Sequence, residues 1–266
     1  MNLKLEQAGA RVIVYDAECI QQPGAHLFDP GYWRKLNAVV GSAPGRGNTL
    51  MLNTPFGPAV LRTYLRGGWA AQLSRERYLF TGFQSSRPLL EAHVLEQLVH
   101  MGLPVPQPLA AQCMRNGLSY TGALLTRRIM PASALADLLE TITPQDPCWF
   151  RAGQCIRRFH ATGLVHPDLN ARNILVRPAD GGAAAIYLID FDRAFFRPRA
   201  TRLFKSNLKR LRRSLAKLWP PQHASNLESC WEQLMIGYNT GIGYHNGNGY
   251  NKGNGYNKGN GYNTGL

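Results

Sequence analysis

Two short apolar runs in the second half of the chain place the strongest constraint on its fold. Ile174–Arg177 and Ile186–Ile189 are separated by the turn-rich stretch Pro178–Gly182, a pattern typical of a β-hairpin. In an antiparallel hairpin, the residue before the first strand and the residue after the second lie at the same end. We therefore expect Asn173 and Asp190 to lie close together.

These two residues belong to a longer pattern of polar side chains. His166–Asn173 and Asp190–Asp192 fit H-x-D-L-x-x-x-N followed by an Asp-Phe pair, the layout of a phosphoryl-transfer site. Because carboxylate and amide oxygens suit Mg²⁺, the pattern predicts that Asn173 and Asp190 are metal ligands. Asp168 is predicted to be the catalytic residue, acting on the acceptor hydroxyl as a base or orienting group. We expect the histidine of the motif to brace the loop rather than act as a base.

The segment before this motif predicts a small antiparallel sheet. Three apolar runs read as strands, with turn residues between them: 37–40, 49–52 and 59–62. The first turn contains Gly45, Arg46 and Gly47, whose backbone N–H groups and guanidinium can approach phosphates, so we predict that this turn binds the nucleotide. Glycine-rich hairpin turns are also common without such a role.

Arg62 stands at the end of the third strand, where kinases carry lysine. We predict that it contacts the nucleotide phosphates; the alternative is a solvated strand residue. The helix predicted for Pro88–Met101 offers Glu91 or Glu96 as a partner for Arg62, and we favour Glu91 as part of the cofactor-binding site. A simpler role for Glu91 is a favourable interaction with the helix dipole.

The positive charge of the chain is concentrated in one segment. The formal net charge is +14, and residues 197–217 hold nine basic and no acidic side chains. Apolar residues recur there at helical spacing: Phe204, Leu208, Leu211, Leu215 and Leu218. The plain interpretation is a helix that packs its apolar stripe on the core, with solvated charges outside. The charges also fit an anionic membrane surface. Nucleic acid is not expected, since no base-reading motif is present.

Other features limit the class of protein. The five cysteines form no C-x-x-C pair, which favours a reducing cytosol over a disulfide framework. No apolar run approaches the roughly 18 to 20 residues that a membrane span needs. Residues 237–266 are repeats of the form Gly-Tyr-x-x-Gly-x with few aliphatic side chains, and we predict that they are disordered.

The motifs together resemble the protein-kinase-like superfamily and, within it, the kinases of 3-deoxy-D-manno-octulosonic acid (Kdo) of Gram-negative lipopolysaccharide assembly. The resemblance lies in these segments: Gly45–Gly47, Ala59–Gly68, Ser74–Leu79, Gly102–Pro106, His166–Asn173 and Leu188–Arg193. It implies an α+β, two-lobed protein-kinase-like fold, with a small antiparallel-sheet N-lobe over residues 1–126 and a mainly helical C-lobe over residues 127–236.

The resemblance also implies an activity. It implies ATP- and Mg²⁺-dependent phosphorylation of the 4-hydroxyl of a Kdo sugar on a lipid A precursor, at the cytoplasmic face of the inner membrane. The protein would attach there peripherally through residues 197–217. Arg66, Arg75 and Arg77, together with that segment, are candidates for binding the sugar carboxylate and lipid phosphates.

Two departures keep alternatives open. Asp192 replaces the glycine of D-F-G and no A-P-E motif follows, which disfavours a regulated protein kinase. The catalytic residues do not distinguish a Kdo kinase from a heptose kinase or another small-molecule kinase of the superfamily. Arg62 in place of lysine also leaves open a catalytically dead, kinase-like binding module.

Overall fold

The N-terminal half of the chain forms an eight-stranded antiparallel sheet within the residues that the structure, a computed structural model, describes: 1–43, 49–64, 78–179 and 182–240. The strands are β1 (Leu3–Ala8), β2 (Arg11–Asp16), β3 (Val39–Ala43), β4 (Thr49–Thr54), β5 (Gly57–Thr63), β6 (Tyr78–Leu79), β7 (Pro108–Asn116) and β8 (Ser119–Arg127). Their order is β1-β2-β7-β8-β5-β4-β3, and β6 pairs with β8. The three predicted strands correspond to β3, β4 and β5.

The sheet is larger than the predicted one. The hairpin of β1 and β2 and strand β7, which begins at Pro108, were not predicted. The apolar residues of β2 are buried because both faces of the sheet are covered. One face packs on helix α2 (Arg87–His100); the other packs on a cluster around Trp33 of helix α1 (Pro30–Lys35).

The C-terminal half is mainly helical. Its helices are α3 (Cys148–Ala161), α4 (Thr201–Leu218) and α5 (Asn226–Thr240), and its short strands are β9 (Ser133–Ala134), β10 (Leu164–Val165), β11 (Ile174–Ala179), β12 (Gly182–Leu188) and β13 (Phe195–Phe196). The predicted hairpin is confirmed, with Ile174 opposite Leu188 in β11 and β12. The α+β, two-lobed, protein-kinase-like fold is therefore confirmed.

The crossing of α3 and α5 corrects the predicted start of the repeat tail. A side chain at Gly153 would meet the carbonyl oxygen of Leu234, and one at Gly237 would meet that of Phe150, each at 1.9 Å, so these helices pack backbone to backbone. Gly237 and the residues to Thr240 are helical, and the prediction that they are disordered is wrong. The repeat pattern gave the wrong prediction because Gly237 and Tyr238 have their packing partners, Phe150 and His160, in a distant part of the sequence. Residues 241–266 lie outside the described part of the chain.

Within the described ranges, no helix combines the length and the apolar character needed to cross a membrane.

Candidate active site

The loop between β10 and β11 contains the predicted catalytic residue, Asp168. His166 braces this loop against the segment after β12. The His166 ring is buried and packs 5.0 Å from the ring of Phe191. Its Nε2 donates to the carbonyl oxygen of Ile189 at 3.1 Å, since a carbonyl only accepts. Burial lowers the pKa of His166, which favours the neutral ring. The expectation that this histidine braces the loop agrees with these contacts.

Asn173 and Asp190 lie at the same end of the hairpin, as predicted. The backbone N–H of Ile189 donates to the carbonyl oxygen of Asn173 at 3.0 Å, one residue before Asp190. The side-chain nitrogen of Asn173 donates to the backbone carbonyl oxygen of Asp168 at 2.9 Å. All three predicted residues therefore lie at one corner of the site, at the end of the hairpin. Asp190 has a φ of 63°, a left-handed conformation that is uncommon outside glycine and is often found at functional sites.

Arg62 bridges the two lobes at this corner. Its guanidinium forms ion pairs with Glu91 of α2 and with Asp190, and it donates to the hydroxyl of Tyr64 at 2.9 Å. The predicted pairing with Glu91 is confirmed, whereas Glu96 accepts from the backbone N–H of Leu3 at 2.7 Å.

Glu91 connects this pair to the segment after the hairpin. Only 3% of its side chain is exposed, and it accepts from the Tyr64 hydroxyl and, at 3.1 Å, from the backbone N–H of Phe191. Burial raises the pKa of Glu91, and the neighbouring guanidinium partly offsets that rise. Burial disfavours the charged form of Arg62, but Glu91, Tyr64 and Asp190 together raise its pKa well above the ordinary value. Arg62 is therefore a fixed positive charge.

A second ion pair joins α2 to the same segment, and the sequence analysis did not identify it. The Arg87 Nε donates to Asp192 Oδ1 at 2.7 Å, and a second guanidinium nitrogen contacts the other carboxylate oxygen. Arg87 also donates to the hydroxyl of Tyr78 at 3.1 Å. A signal was available, because Arg87 and Glu91 are four residues apart and so share one face of a helix. That face holds the carboxylate of Asp192 and the backbone of Phe191.

One face of the basic helix α4 contacts the predicted catalytic loop, residues 166–173 between β10 and β11. Asn207 Oδ1 accepts from the backbone N–H of His166 at 3.1 Å, and Ser214 Oγ accepts from that of Ala171 at 3.2 Å. Between them, Arg210 Nη1 lies 3.6 Å from Asp168 Oδ1. Spacings of three and four residues place these three side chains on one side of a helix. The helical periodicity of this segment can be recognised in the sequence, but the loop that its polar face contacts cannot.

The apolar stripe predicted for this helix is largely confirmed. Leu208, Leu211 and Leu215 are buried, and Phe204 stacks on the ring of His160 at 4.4 Å. The stripe holds α4 on the core and the adjacent polar face meets the loop.

The donor set at the corner fits Mg²⁺ better than a metal that prefers nitrogen or sulfur. In the described part of the chain, no group of three or more His, Cys, Asp or Glu side chains is arranged to hold a metal. Asn173 and Asp190 offer one amide oxygen and one carboxylate, and the Asn173 nitrogen is already engaged with Asp168. Mg²⁺ takes most of its remaining ligands from water and substrate phosphates, so two protein ligands suffice.

Some predicted site residues have no described position. These are Gly45, Arg46 and Gly47 of the predicted phosphate-binding turn, and the candidate acceptor-binding residues Arg66, Arg75 and Arg77, all of which lie outside the described ranges. Their roles stay predictions.

Comparison with known proteins places this geometry in a family. The model of the lipopolysaccharide kinase (Kdo/WaaP) family matches residues 31–238. A 3-deoxy-D-manno-octulosonic acid kinase of Xanthomonas oryzae pv. oryzae (strain PXO99A) is 43% identical over 233 residues, which cover 88% of this chain and 91% of the relative. One of Stenotrophomonas maltophilia (strain R551-3) is 41% identical over 234 residues, covering 88% of this chain and 92% of the relative.

Solved structures give more distant matches. A chain of the structure described as WaaP in complex with acyl carrier protein is similar with a TM-score of 0.49 at 15% identity, covering 83% of this chain and 88% of that chain. The family model covers most of the chain, and the curated relatives match it over nearly their whole length. The chain therefore belongs to the lipopolysaccharide kinase (Kdo/WaaP) family.

Proposed function

We propose that this protein transfers the γ-phosphoryl group of ATP to the 4-hydroxyl of a Kdo sugar on a lipid A precursor. Membership of the family makes it a phosphotransferase that acts on a hydroxyl in lipopolysaccharide biosynthesis. The relatives at about 40% identity that are named Kdo kinases support Kdo as the sugar. The observation that carries the mechanism is the gathering of Asp168, Asn173 and Asp190 at one corner, beside the pair of Arg62 and Glu91.

Asp168 is suited to act on the acceptor hydroxyl. Its side chain is 58% exposed, so an acceptor has access to it, while Asn170 and Asn173 hold its backbone carbonyl oxygen at 3.0 and 2.9 Å. In the proposed step the hydroxyl oxygen bonds to the γ-phosphorus, its proton passes to Asp168, and ADP leaves. The protein contributes mainly positioning and charge neutralisation.

Asn173 and Asp190 would hold Mg²⁺. The ion, when bound, neutralises charge on the phosphates of the nucleotide. Asn173 is kept in place by the hydrogen bond to Asp168, and Asp190 by its contact with Arg62. In this proposal the network of Arg62, Glu91 and Tyr64 orients the metal-binding carboxylate, a role supported by the two ion pairs of Arg62.

The activity is tested by mass spectrometry of a Kdo-bearing lipid A precursor after incubation with the purified protein, ATP and Mg²⁺. We expect the gain of one phosphate on the Kdo moiety, and no gain when the 4-hydroxyl of that sugar is replaced by hydrogen. Transfer to a heptose-bearing acceptor but not to Kdo would instead support the alternative small-molecule kinase.

Substitution of Asp168 tests whether the site is assigned correctly. Asp168→Asn removes the proton acceptor, so we expect a loss of about 10²- to 10⁴-fold in kcat. Glu6→Gln, which makes the same carboxylate-to-amide change on an exposed strand residue, is the matched control. Full activity of Asp168→Asn would show that the catalytic residue lies elsewhere, and inactivity of the unsubstituted protein toward every acceptor would favour a binding module.

We further propose that the protein attaches peripherally to the cytoplasmic face of the inner membrane. The support is the charge of residues 197–217 and the burial of α4, whose leucines face the core and whose basic residues, such as Lys205, Lys209 and Arg213, are exposed. Each basic side chain near an anionic surface adds about 1 kcal/mol of attraction. Co-sedimentation with vesicles that contain phosphatidylglycerol, but not with neutral vesicles, is expected, and added salt should weaken it. Equal binding to both would refute this attachment.

A further inference from the structure

The pair of Arg210 and Asp168 differs from the other ion pairs at the active site. Its closest atoms are 3.6 Å apart, beyond normal hydrogen-bond distance, and its side chains are 48% and 58% exposed. Exposed pairs of this kind contribute at most about 1 kcal/mol to stability. No other cation lies within 4 Å of the Asp168 carboxylate in the ranges that the structure describes. An arginine held this loosely beside the catalytic group is available to a ligand.

The position of Arg210 is nevertheless well defined. Asn207, three residues before it, and Ser214, four residues after it, hydrogen-bond to the backbone of the catalytic loop. Leu211, the next residue along, is fully buried. The helix is therefore fixed relative to the loop, and the base of the Arg210 side chain is fixed with it, while its guanidinium stays exposed. A preorganised charge beside a reacting group binds a ligand at a lower entropic cost than a mobile one.

We propose that Arg210 is the specificity-determining residue that binds the carboxylate of the acceptor sugar. This inference rests on the proposed function, because Kdo is a sugar acid and carries a carboxylate near the hydroxyl that is phosphorylated. The planar guanidinium matches a carboxylate in a bidentate geometry that a lysine does not reproduce. On binding, the acceptor carboxylate replaces Asp168 as the partner of Arg210, and Asp168 is released to accept the hydroxyl proton.

The other basic residues near the loop are less suited to this role. Arg212 pairs with Glu228 of α5, and Arg172, although exposed, forms no ion pair with Asp168 among the described residues. Arg62 and Arg87 are engaged with carboxylates of the protein. Arg210 alone of this set stands beside Asp168, where the acceptor hydroxyl must lie. It follows that the site selects acidic sugars over neutral ones of similar shape.

The test combines a change in the enzyme with a change in the substrate. The kinetics of detergent-dispersed Kdo-lipid A precursor are compared with those of the same lipid in which the Kdo carboxylate is converted to a carboxamide. Both acceptors are measured with the unsubstituted protein, Arg210→Gln and Arg210→Lys. Arg177→Gln is the control, since it removes the same charge from an exposed arginine on β11 whose side chain hydrogen-bonds only to Tyr187 among the described residues.

With the unsubstituted protein, we expect the carboxamide to raise KM by about 10- to 100-fold, the loss typical of a charge-assisted hydrogen bond. Arg210→Gln should raise KM for the acid by a similar factor but leave KM for the carboxamide nearly unchanged. Arg210→Lys should recover only part of the loss, and Arg177→Gln should behave as the unsubstituted protein.

Two results would overturn the inference and are distinguishable from each other. If Arg210→Gln raises KM equally for the acid and the carboxamide, Arg210 does not bind the carboxylate, while phosphorylation of Kdo by the unsubstituted protein still supports the proposed function. If the unsubstituted protein phosphorylates neither acceptor, the proposed function fails and this inference fails with it.

Discussion

Helices α2 and α4 both contact the candidate active site, but with different chemistry. Helix α2 reaches the segment after β12 through Glu91 and Arg87, which form largely buried ion pairs. Helix α4 reaches the catalytic loop through two neutral side chains, Asn207 and Ser214, and through the exposed Arg210. One helix thus holds the predicted metal-binding side, and the other holds the proposed acceptor side.

The degree of burial determines which of these contacts can exchange partners. A buried charge that loses its partner is left without water to replace it, so the α2 pairs hold a fixed arrangement. An exposed charge is solvated in either state and can change partners at little cost. We therefore expect substitutions on α2 to affect folding and substitutions on α4 to affect mainly the acceptor.

The largest expected effect is on the α2 side. Glu91→Ala removes the buried carboxylate that pairs with Arg62 and accepts from the N–H of Phe191, and leaves Arg62 with Asp190 as its one ion-pair partner among the described residues. We expect the free energy of unfolding to fall by about 3–5 kcal/mol, together with loss of phosphoryl transfer. Urea denaturation followed by circular dichroism measures the first. Glu96→Ala on the same helix should lower the free energy of unfolding by only about 1 kcal/mol, and equal losses would show that burial of the Glu91 pair adds nothing.

Acid should weaken the packing of α3 against α4 through His160 of α3, whose ring stacks on Phe204. Burial lowers the pKa of this ring to about 4; a hydrogen bond with Asn207 acts in the opposite direction, and Arg157 and His166 lower the pKa further. His160 binds a proton more tightly in the unfolded state than in the folded state. The contribution of its neutral ring to stability is therefore complete above pH 6.5 and is lost as the pH falls towards 4. The loss is up to about 3 kcal/mol.

The measurement is the free energy of unfolding of the unsubstituted protein and of His160→Gln between pH 7 and pH 4. The slope over this window should be smaller in the variant, whatever its stability at pH 7. Identical slopes would show that His160 does not control acid sensitivity.

The ion pair of Arg87 with Asp192 should have an intermediate effect, because both side chains are about one-fifth exposed. Arg87→Gln is expected to lower the free energy of unfolding by about 1–2 kcal/mol and to reduce kcat, since Asp192 lies two residues from Asp190. Arg87→Lys keeps the positive charge but loses the bidentate geometry of the guanidinium. Its free energy of unfolding should lie between those of the unsubstituted protein and Arg87→Gln. A lysine variant as weak as the glutamine variant would show that the geometry of the guanidinium contributes all of the effect.

The smallest expected effect is at Ser214. Ser214→Ala removes one acceptor from the backbone N–H of Ala171 in a partly exposed position. We expect a loss of at most about 1 kcal/mol in stability and a modest change in kcat. Ser206→Ala, on the exposed side of the same helix, is the control and should be neutral. A loss at Ser214 as large as that at Glu91 would contradict the contrast between the two helices.

Local patterns in the sequence predicted the parts of the site that neighbouring residues determine. Asn173 and Asp190 were expected at one end of a hairpin because strand pairing with a short turn fixes the ends of both strands. Glu91 is favoured over Glu96 as the partner of Arg62 because it lies near the start of the predicted helix, and the structure shows the pair. The roles of these residues toward nucleotide and metal stay predictions.

The parts that were missed depend on contacts between distant segments. Arg87 and Asp192 are 105 residues apart, and Asn207 meets His166 across 41. Gly237 looked like the first residue of a repeat, but α5 continues through it because its lack of a side chain permits the close approach of α3. No local pattern identifies such partners.

Strand alternation, helix periodicity and composition within short segments were enough to predict the hairpin, the polar residues at its end, the helical stripe and the concentration of positive charge. The packing of one face of α2 on the Asp-Phe-Asp segment, and of one face of α4 on the predicted catalytic loop, is visible only in the folded chain. Periodicity fixes which side chains share a face, whereas the partner of that face is set by how the whole chain packs.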